Sequence, residues 1–132
     1  MDPRYVVLDE PTSSLDPASR TMVLAMVRGL KERGIAVIHV THHMEEVAGA
    51  DRVIVMDKGR IEADDTPSAL FGRVEWLKSL GLAPPPAAEL AWRLRQAGLH
   101  VPSSILTLEE AAEAVSALAG CSKDKGLREG GT

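Results

Sequence analysis

Apolar positions in the first third of the chain form two short runs separated by a helical stripe. Residues 5–8 are consecutively apolar, and residues 35–40 form a second, largely apolar run. Runs of this length are typical of strands that are buried on both faces of a parallel sheet. Between them, apolar residues recur at helical spacing, at Met22, Val23, Met26, Val27 and Leu30. We predict a strand–helix–strand unit with parallel, buried strands.

Capping signals place the ends of this helix. Asp16 followed by Pro17 is typical of an N-cap and a first helical position. Gly34 is typical of the left-handed residue that follows a helix. After the second strand, Thr41 is predicted to open a short helix.

The rest of the chain is predicted to contain a hairpin and several helices. The predicted strands cover 52–56 and 60–63, and the predicted helices cover 66–71, 87–98 and 107–120. The stretch 81–87 (GLAPPPA) cannot lie inside a helix and marks a junction. Thr107 and Glu110 fit a capping box. We expect an α/β core over 1–80, a helical extension over 81–120 and a flexible tail over 121–132.

Composition narrows the function classes. The chain has 132 residues, of which 45% are hydrophobic and 26% charged, which fits a globular domain or part of one. Its formal net charge of -4 argues against a nucleic-acid partner. Cys121 is the only cysteine, so no internal disulfide is possible and a reducing compartment fits. No apolar run is long enough to cross a bilayer.

Candidate chemistry lies where the two predicted strands end. Asp9 and Glu10 follow the first strand and His42 follows the second, so parallel pairing should place all three at one sheet edge. One acid there could support Mg²⁺, and a second could deprotonate water. The imidazole could contact a phosphate. Pro11 is expected to hold Glu10 in an extended conformation. Taken alone, such an acidic pair is better explained as a solvated turn with a helix N-cap.

These motifs resemble a known family. VVLDEPTSSLD resembles the Walker B strand, catalytic glutamate and D-loop of ABC-type ATPases, and VIHVTHHMEEV resembles their switch-histidine loop. The resemblance implies that Asp9 supports Mg²⁺ through water and that Glu10 is the general base. It also implies that Asp16 communicates across a dimer and that His42 is the switch histidine. The next residue, His43, is expected to be an exposed helix residue.

The C-terminal part resembles one subgroup of that family. LAPPPAAELAWRLRQAGL and ILTLEEAAEAV are similar to the extension of energy-coupling factor transporter ATPases, which import cobalt, nickel or vitamins. The resemblance implies a partial P-loop NTPase fold, ATP and Mg²⁺ as cofactors, and a second ATPase subunit in a homo- or heterodimer. It further implies a transmembrane coupling protein, a substrate-binding membrane subunit and a peripheral position at the cytoplasmic face of the membrane.

One part of the family pattern is missing. No Gly-Lys pair occurs in the chain, so it contains no P-loop, and the Gln-containing loop and the signature loop are also absent. We expect the C-terminal part of a cassette, inactive alone. The alternative is a non-catalytic fragment with an interaction or dimerisation role. A DNA-repair type ABC ATPase is disfavoured, because the chain lacks a coiled-coil insertion and has the C-terminal extension.

Two further expectations concern helix faces. Glu45 and Glu46 are expected to form a solvated helix face. The C-terminal helices are predicted to be an association module, with packing inside one chain as the alternative. The apolar positions assigned to these two helices are Leu90 and Leu94 on the first, and Leu108, Ala112, Val115 and Leu118 on the second.

Overall fold

The computed structural model describes residues 3–123 as a mixture of strands and helices, which confirms the predicted α/β class. In chain order the elements are β1 (Tyr5–Asp9), α1 (Pro17–Glu32), β2 (Ala36–Val40), α2 (Met44–Val47), β3 (Val53–Asp57), β4 (Arg60–Asp65), α3 (Pro67–Phe71), α4 (Val74–Ser79), α5 (Pro86–Gln96) and α6 (Leu108–Lys123). The chain divides into two compact units, Met1–Glu46 and Val47–Thr132. Most of the predicted tail, residues 124–132, lies outside the described residues.

The first unit contains the predicted strand–helix–strand arrangement. Strands β1 and β2 pair in parallel, with a register that runs from Tyr5 opposite Ala36 to Asp9 opposite Val40. Helix α1 connects them and contacts β2. Gly34 follows α1 with a φ of 78°, the left-handed conformation that a glycine adopts without steric cost.

The prediction that both strands are buried is wrong in this chain. Their side chains alternate between half-buried and exposed. The exposed side chains are those of Tyr5, Val7, Ile38 and Val40. A two-stranded sheet with a helix against one face leaves its other face open to solvent, so period-two alternation replaces the uniform burial of a larger sheet.

The apolar stripe of α1 is also narrower than predicted. Val23, Val27 and Leu30 are half-buried, whereas Met22 and Met26 are exposed. The two methionines lie one helical turn apart, so they form an exposed apolar pair on one side of α1.

The second unit begins with the predicted hairpin. Strands β3 and β4 pair antiparallel, with an irregularity between Val55 and Met56. Lys58 and Gly59 both have positive φ, 47° and 75°, as a two-residue type I′ turn requires. At the other end, the Arg52 guanidinium donates two hydrogen bonds to the Asp64 carboxylate, and these bonds lower the pKa of Asp64.

Helices α3 to α5 follow the hairpin. Thr66 caps α3, because its hydroxyl accepts a hydrogen bond from the Ala69 amide at 3.4 Å. Helix α4 was not predicted from the sequence, and it contacts both α3 and α5. The side chains buried in α3 and α4 are Pro67, Leu70, Phe71, Val74 and Leu77. No helix within residues 3–123 is both long and apolar enough to cross a membrane.

The C-terminal helices pack against each other inside the chain. Their buried cluster consists of Ala87, Ala91, Val101, Ile105 and Ala111. The predicted capping box at the start of α6 is confirmed. The Thr107 amide donates to a Glu110 carboxylate oxygen, and the Glu110 amide donates to the Thr107 hydroxyl, both at 3.2 Å.

The apolar stripe assigned to α6 is partly wrong. Ala114 and Leu118, rather than Val115, pack against the cluster, whereas Leu108 and Val115 are exposed. On α5, Leu94 packs against the cluster and Leu90 is exposed. Helix α6 continues to Lys123, past the predicted end at residue 120. The predicted domain boundary near residue 80 stays a prediction.

Candidate active site

Parallel pairing brings the predicted acids and the histidine loop to one edge of the first unit. Asp9 lies opposite Val40, the last residue of β2. The Glu10 amide then donates a hydrogen bond of 2.9 Å to the Val40 carbonyl. Glu10 and His42 therefore leave their strands side by side.

Glu10 and His42 form a hydrogen-bonded pair. His42 Nδ1 lies 2.7 Å from Glu10 Oε1, and the two side chains are 60% and 45% exposed. An ionised carboxylate only accepts hydrogen bonds, so Nδ1 must carry the proton. This contact leaves Nε2 of the neutral ring as an acceptor. The arrangement joins a candidate base to a group that can donate or receive a proton.

The backbone at Glu10 contradicts the sequence expectation. Its φ is 44°, so Pro11 does not hold this residue extended. The Ser13 amide and the Ser13 hydroxyl both donate to the Glu10 carbonyl, at 3.3 and 3.1 Å, and these bonds stabilise the turn. A non-glycine residue in the left-handed region is uncommon and is often found at functional sites.

Asp9 is exposed at the end of β1. Its carboxylate makes no hydrogen bond or ion pair with any described residue. A free carboxylate at a strand end fits Mg²⁺, which proteins commonly bind through one or two carboxylates, waters and phosphate oxygens. Within residues 3–123, no group of three or more His, Cys, Asp or Glu side chains could hold a metal ion.

Asp16 acts as the predicted N-cap of α1. Its carboxylate accepts hydrogen bonds from the Ala18 and Ser19 amides, at 3.1 and 3.2 Å, and from the Ser19 hydroxyl at 2.5 Å. The bond from the Ser19 hydroxyl is the largest cause of a lowered Asp16 pKa. None of these bonds involves the Glu10–His42 pair, and the dimer role implied for Asp16 stays a prediction.

The expectation of a solvated glutamate face is wrong for Glu46. Its side chain is 1% exposed. One carboxylate oxygen accepts a hydrogen bond of 2.5 Å from the Thr12 hydroxyl, and the other accepts a bond of 2.9 Å from Thr41. The Nε atoms of Arg20 and His39 lie 3.9 and 3.3 Å from the same carboxylate. The neighbouring Glu45 is exposed, as expected.

His43 differs from the expected exposed helix residue. It precedes α2 and is half-buried, and its Nε2 is buried without a hydrogen-bond partner among the described residues. Its ring lies 4.2 Å from that of His42, centroid to centroid. Because His43 turns inward while His42 reaches Glu10, the structure places only His42 at the acidic edge.

One open depression lies in the second unit and contains none of the predicted site residues. It is lined in part by His100, Glu110 and Leu118. It therefore offers no alternative location for the predicted chemistry.

Comparisons with known proteins identify relatives of the chain. No protein-family model matches it. It is 45% identical over 117 residues to the cobalt import ATP-binding protein CbiO of Syntrophus aciditrophicus, a match that covers 89% of this chain and 42% of that protein. It is 53% identical over 114 residues to the energy-coupling factor transporter ATP-binding protein EcfA1 of Caldanaerobacter subterraneus subsp. tengcongensis, covering 86% of this chain and 41% of that protein.

A solved structure is also similar. CbiO1 from Clostridium perfringens, described as part of the ABC transporter complex CbiONQ, is 33% identical. The match covers 67% of this chain and 36% of that one, with a TM-score of 0.49.

Over most of its length, this chain is similar to ABC transporter ATP-binding subunits. These relatives are CbiO and EcfA subunits of energy-coupling factor transporters, which confirms the predicted resemblance. The chain spans about two-fifths of the length of these relatives, 42% and 41% for the two described above.

Proposed function

We propose that this chain supplies the water-activating half of an ATP-hydrolysing site in an energy-coupling factor importer. The observation that carries the proposal is the 2.7 Å contact between Glu10 and His42. These residues come from the ends of two different strands, and they match the positions at which the family resemblance puts the general base and the switch histidine.

Glu10 is the proposed general base. Its carboxylate is partly exposed, and one oxygen is engaged by His42. The other oxygen is available to accept a proton from water within hydrogen-bond reach. The left-handed backbone at Glu10 is uncommon for a residue other than glycine, which supports a functional assignment for this turn.

His42 is the proposed switch residue. While Nδ1 donates to Glu10, Nε2 can also donate only if the ring is doubly protonated. Donation from His42 to a phosphate oxygen thus requires the imidazolium form or separation from Glu10. The proposed switch is this change in the partner or protonation of His42.

Asp9 is the proposed support for Mg²⁺, through water. When bound, Mg²⁺ would neutralise charge on the phosphates of ATP. No Gly-Lys pair occurs in the chain, so the loop that holds phosphates has to come from other polypeptide. The proposal therefore assigns to this chain the base, the histidine and the metal-supporting acid, and not the phosphate cradle.

The proposed partners are those of an importer. They are a second ATPase subunit, which Asp16 would contact, a transmembrane coupling protein and a substrate-binding membrane subunit, with the complex at the cytoplasmic face of the membrane. The cargo would be a metal ion or a vitamin. We propose no nucleic-acid partner, in line with the acidic net charge.

A non-catalytic interaction role is the second candidate function. Its support is the apolar surface on the helical extension, where Leu108 and Val115 are exposed on α6. These residues are seven apart and lie on one side of the helix. They would suit association with a second subunit whether or not the site is active.

A chimera tests the catalytic proposal. It joins this chain to the part of the Caldanaerobacter relative that the match does not cover. We expect Mg-ATP hydrolysis by the chimera, and none by this chain alone. Glu10→Gln and His42→Ala should each lower turnover by about 10²-fold or more, whereas His43→Ala should keep most of it.

Three results would contradict the assignments. Equal losses in the two histidine variants would mean that the switch residue is wrong. Glu10-dependent turnover by this chain alone would mean that the chain binds the phosphates of ATP well enough for hydrolysis without other polypeptide. A folded, nucleotide-binding chimera without Glu10-dependent turnover would favour the interaction role.

A further inference from the structure

Glu46 joins the two loops that carry the Glu10–His42 pair. Its Oε1 accepts from Thr12, two residues after Glu10, and its Oε2 accepts from Thr41, which directly precedes His42. Each carboxylate oxygen thus fixes one of the two loops.

Burial makes these bonds difficult to replace. Thr12 is fully buried, and the Glu46 side chain is 1% exposed. Solvent does not reach either partner at such burial, so loss of one leaves an unsatisfied polar group, which is destabilising.

The charge of Glu46 is compensated locally. Arg20 Nε lies 3.9 Å from Oε1, and His39 Nε2 lies 3.3 Å from Oε2. Neither nitrogen forms a hydrogen bond, so the attraction between the Arg20 guanidinium and the carboxylate is Coulombic. A buried carboxylate with a neighbouring guanidinium and two hydroxyl donors meets the conditions under which a buried charge is tolerated.

The Glu10–His42 pair has no such support of its own. Both side chains are largely exposed, and exposed ion pairs contribute little by themselves because solvent competes for both partners. A separation of 2.7 Å between them therefore depends on how closely their loops are held.

We infer that Glu46 is a positioning residue that holds the Thr12 and Thr41 loops together and so sets the Glu10–His42 contact. This inference rests on the function proposed above in one respect, namely that the Glu10–His42 pair is catalytic. The contact itself can be measured without nucleotide.

The test measures the tautomer of His42 in this 132-residue chain. Imidazole ¹⁵N chemical shifts are recorded at about pH 8.5, above the ordinary histidine pKa of about 6.5. His42→Gln assigns the resonances. In the wild type, the contact with Glu10 should make the Nδ1–H form dominant, and Glu10→Ala defines the ratio for a broken pair.

Matched variants separate positioning from folding. Thr12→Val removes the hydroxyl at nearly constant shape, whereas Thr12→Ser retains it. Glu46→Gln replaces one acceptor oxygen with a donor, and Glu45→Gln is the control on the same helix. Thr12→Val and Glu46→Gln should each lower the Nδ1–H to Nε2–H ratio about tenfold, as expected for a lost hydrogen bond to a charged group. Thr12→Ser and Glu45→Gln should keep the wild-type ratio.

Several outcomes would overturn the inference. One is the same ratio in Thr12→Val and Thr12→Ser, and another is a wild-type ratio in folded Glu46→Gln. If Thr12→Val and Glu46→Gln lose dispersed amide signals while Thr12→Ser does not, Glu46 serves folding and not positioning. If the wild type and Glu10→Ala have the same Nδ1–H to Nε2–H ratio, the Glu10–His42 contact is absent in solution and Glu46 cannot set it. Failure of the proposed function is separate, because it is measured by ATP hydrolysis in the chimera.

Discussion

Ile105 should contribute strongly to the stability of the helical extension. Its side chain is 4% exposed in the cluster formed by α5, α6 and the segment between them. Ile105→Val removes one methyl group and should cost about 0.5–1.5 kcal/mol. Ile105→Ala removes three carbons. At about 0.8 kcal/mol for each buried group, the transfer loss is about 2.4 kcal/mol, and the cavity brings the total to about 2–5 kcal/mol.

Leu108→Ala is the matched control. It also removes three carbons, but Leu108 is 66% exposed, so its cost should be within about 0.5 kcal/mol. Free energies of unfolding would be measured by urea denaturation with far-UV circular dichroism, at two protein concentrations. Because the cluster lies within one chain, the order of the variants should not change with concentration.

Two patterns would refute this reasoning. Ile105→Ala and Leu108→Ala could cost the same, or Ile105→Val could cost as much as Ile105→Ala. The first would mean that Ile105 is not buried in solution, and the second that the loss does not follow the volume removed. A midpoint that rises with protein concentration would place the cluster between copies of the chain.

Two further predictions concern the helix ends and the exposed apolar residues. The lowered pKa of Asp16 means that its stabilising contribution is present above the ordinary aspartate pKa and is lost as the pH falls through the folded-state pKa. Asp16→Asn caps the helix without titrating, so it should flatten the acid side of a plot of Tm against pH between about pH 6 and about pH 2. An unchanged slope would contradict the cap assignment. Leu108→Asp combined with Val115→Asp should weaken self-association of the chimera in sedimentation experiments without loss of helical signal, and unchanged association would remove this surface from the proposed dimer contact.

Local rules predicted the ends of elements well. The N-cap at Asp16, the turn at Lys58 and Gly59 and the capping box at Thr107 each depend on residues within a few positions of one another. Backbone hydrogen-bonding needs are satisfied locally at such sites, so the sequence alone contains the necessary information. Helix α4 was not predicted, because the proline-rich junction that follows it marks the predicted boundary of the core. The buried side chains of α4 pack between helices, and such packing is not visible in a short stretch of sequence.

The candidate pair was predicted by a mixture of topology and resemblance. Parallel pairing brings Glu10 and His42 to the same sheet edge, which follows from two apolar runs and a helix between them. The left-handed backbone of Glu10 could not be predicted, because the expected effect of Pro11 was extension and the turn is set by later hydrogen bonds.

Glu46 shows a different limit. In sequence it is indistinguishable from Glu45, since both are acidic residues in the first turn of a short helix. Only the pairing of β1 with β2, together with the position of α1, brings Thr12, Thr41 and Arg20 to one of the two carboxylates. The pattern of apolar and polar residues around Glu46 cannot predict these contacts, because its partners lie up to 34 positions away in the sequence.

The disagreement over strand burial has a physical explanation that also bears on the site. Uninterrupted apolar runs are typical of strands covered on both faces, whereas this chain covers one face of β1 and β2 and exposes Tyr5, Val7, Ile38 and Val40. The relatives described above are more than twice as long as this chain. A cover over the open face by other polypeptide would change the solvent access of Glu10 and His42. The bonds through Glu46 will change less, because that carboxylate is already buried within the first unit. For this reason the distance between Glu10 and His42 should be a property of this part of the fold, while the rate of any reaction there should depend on the polypeptide that completes the site.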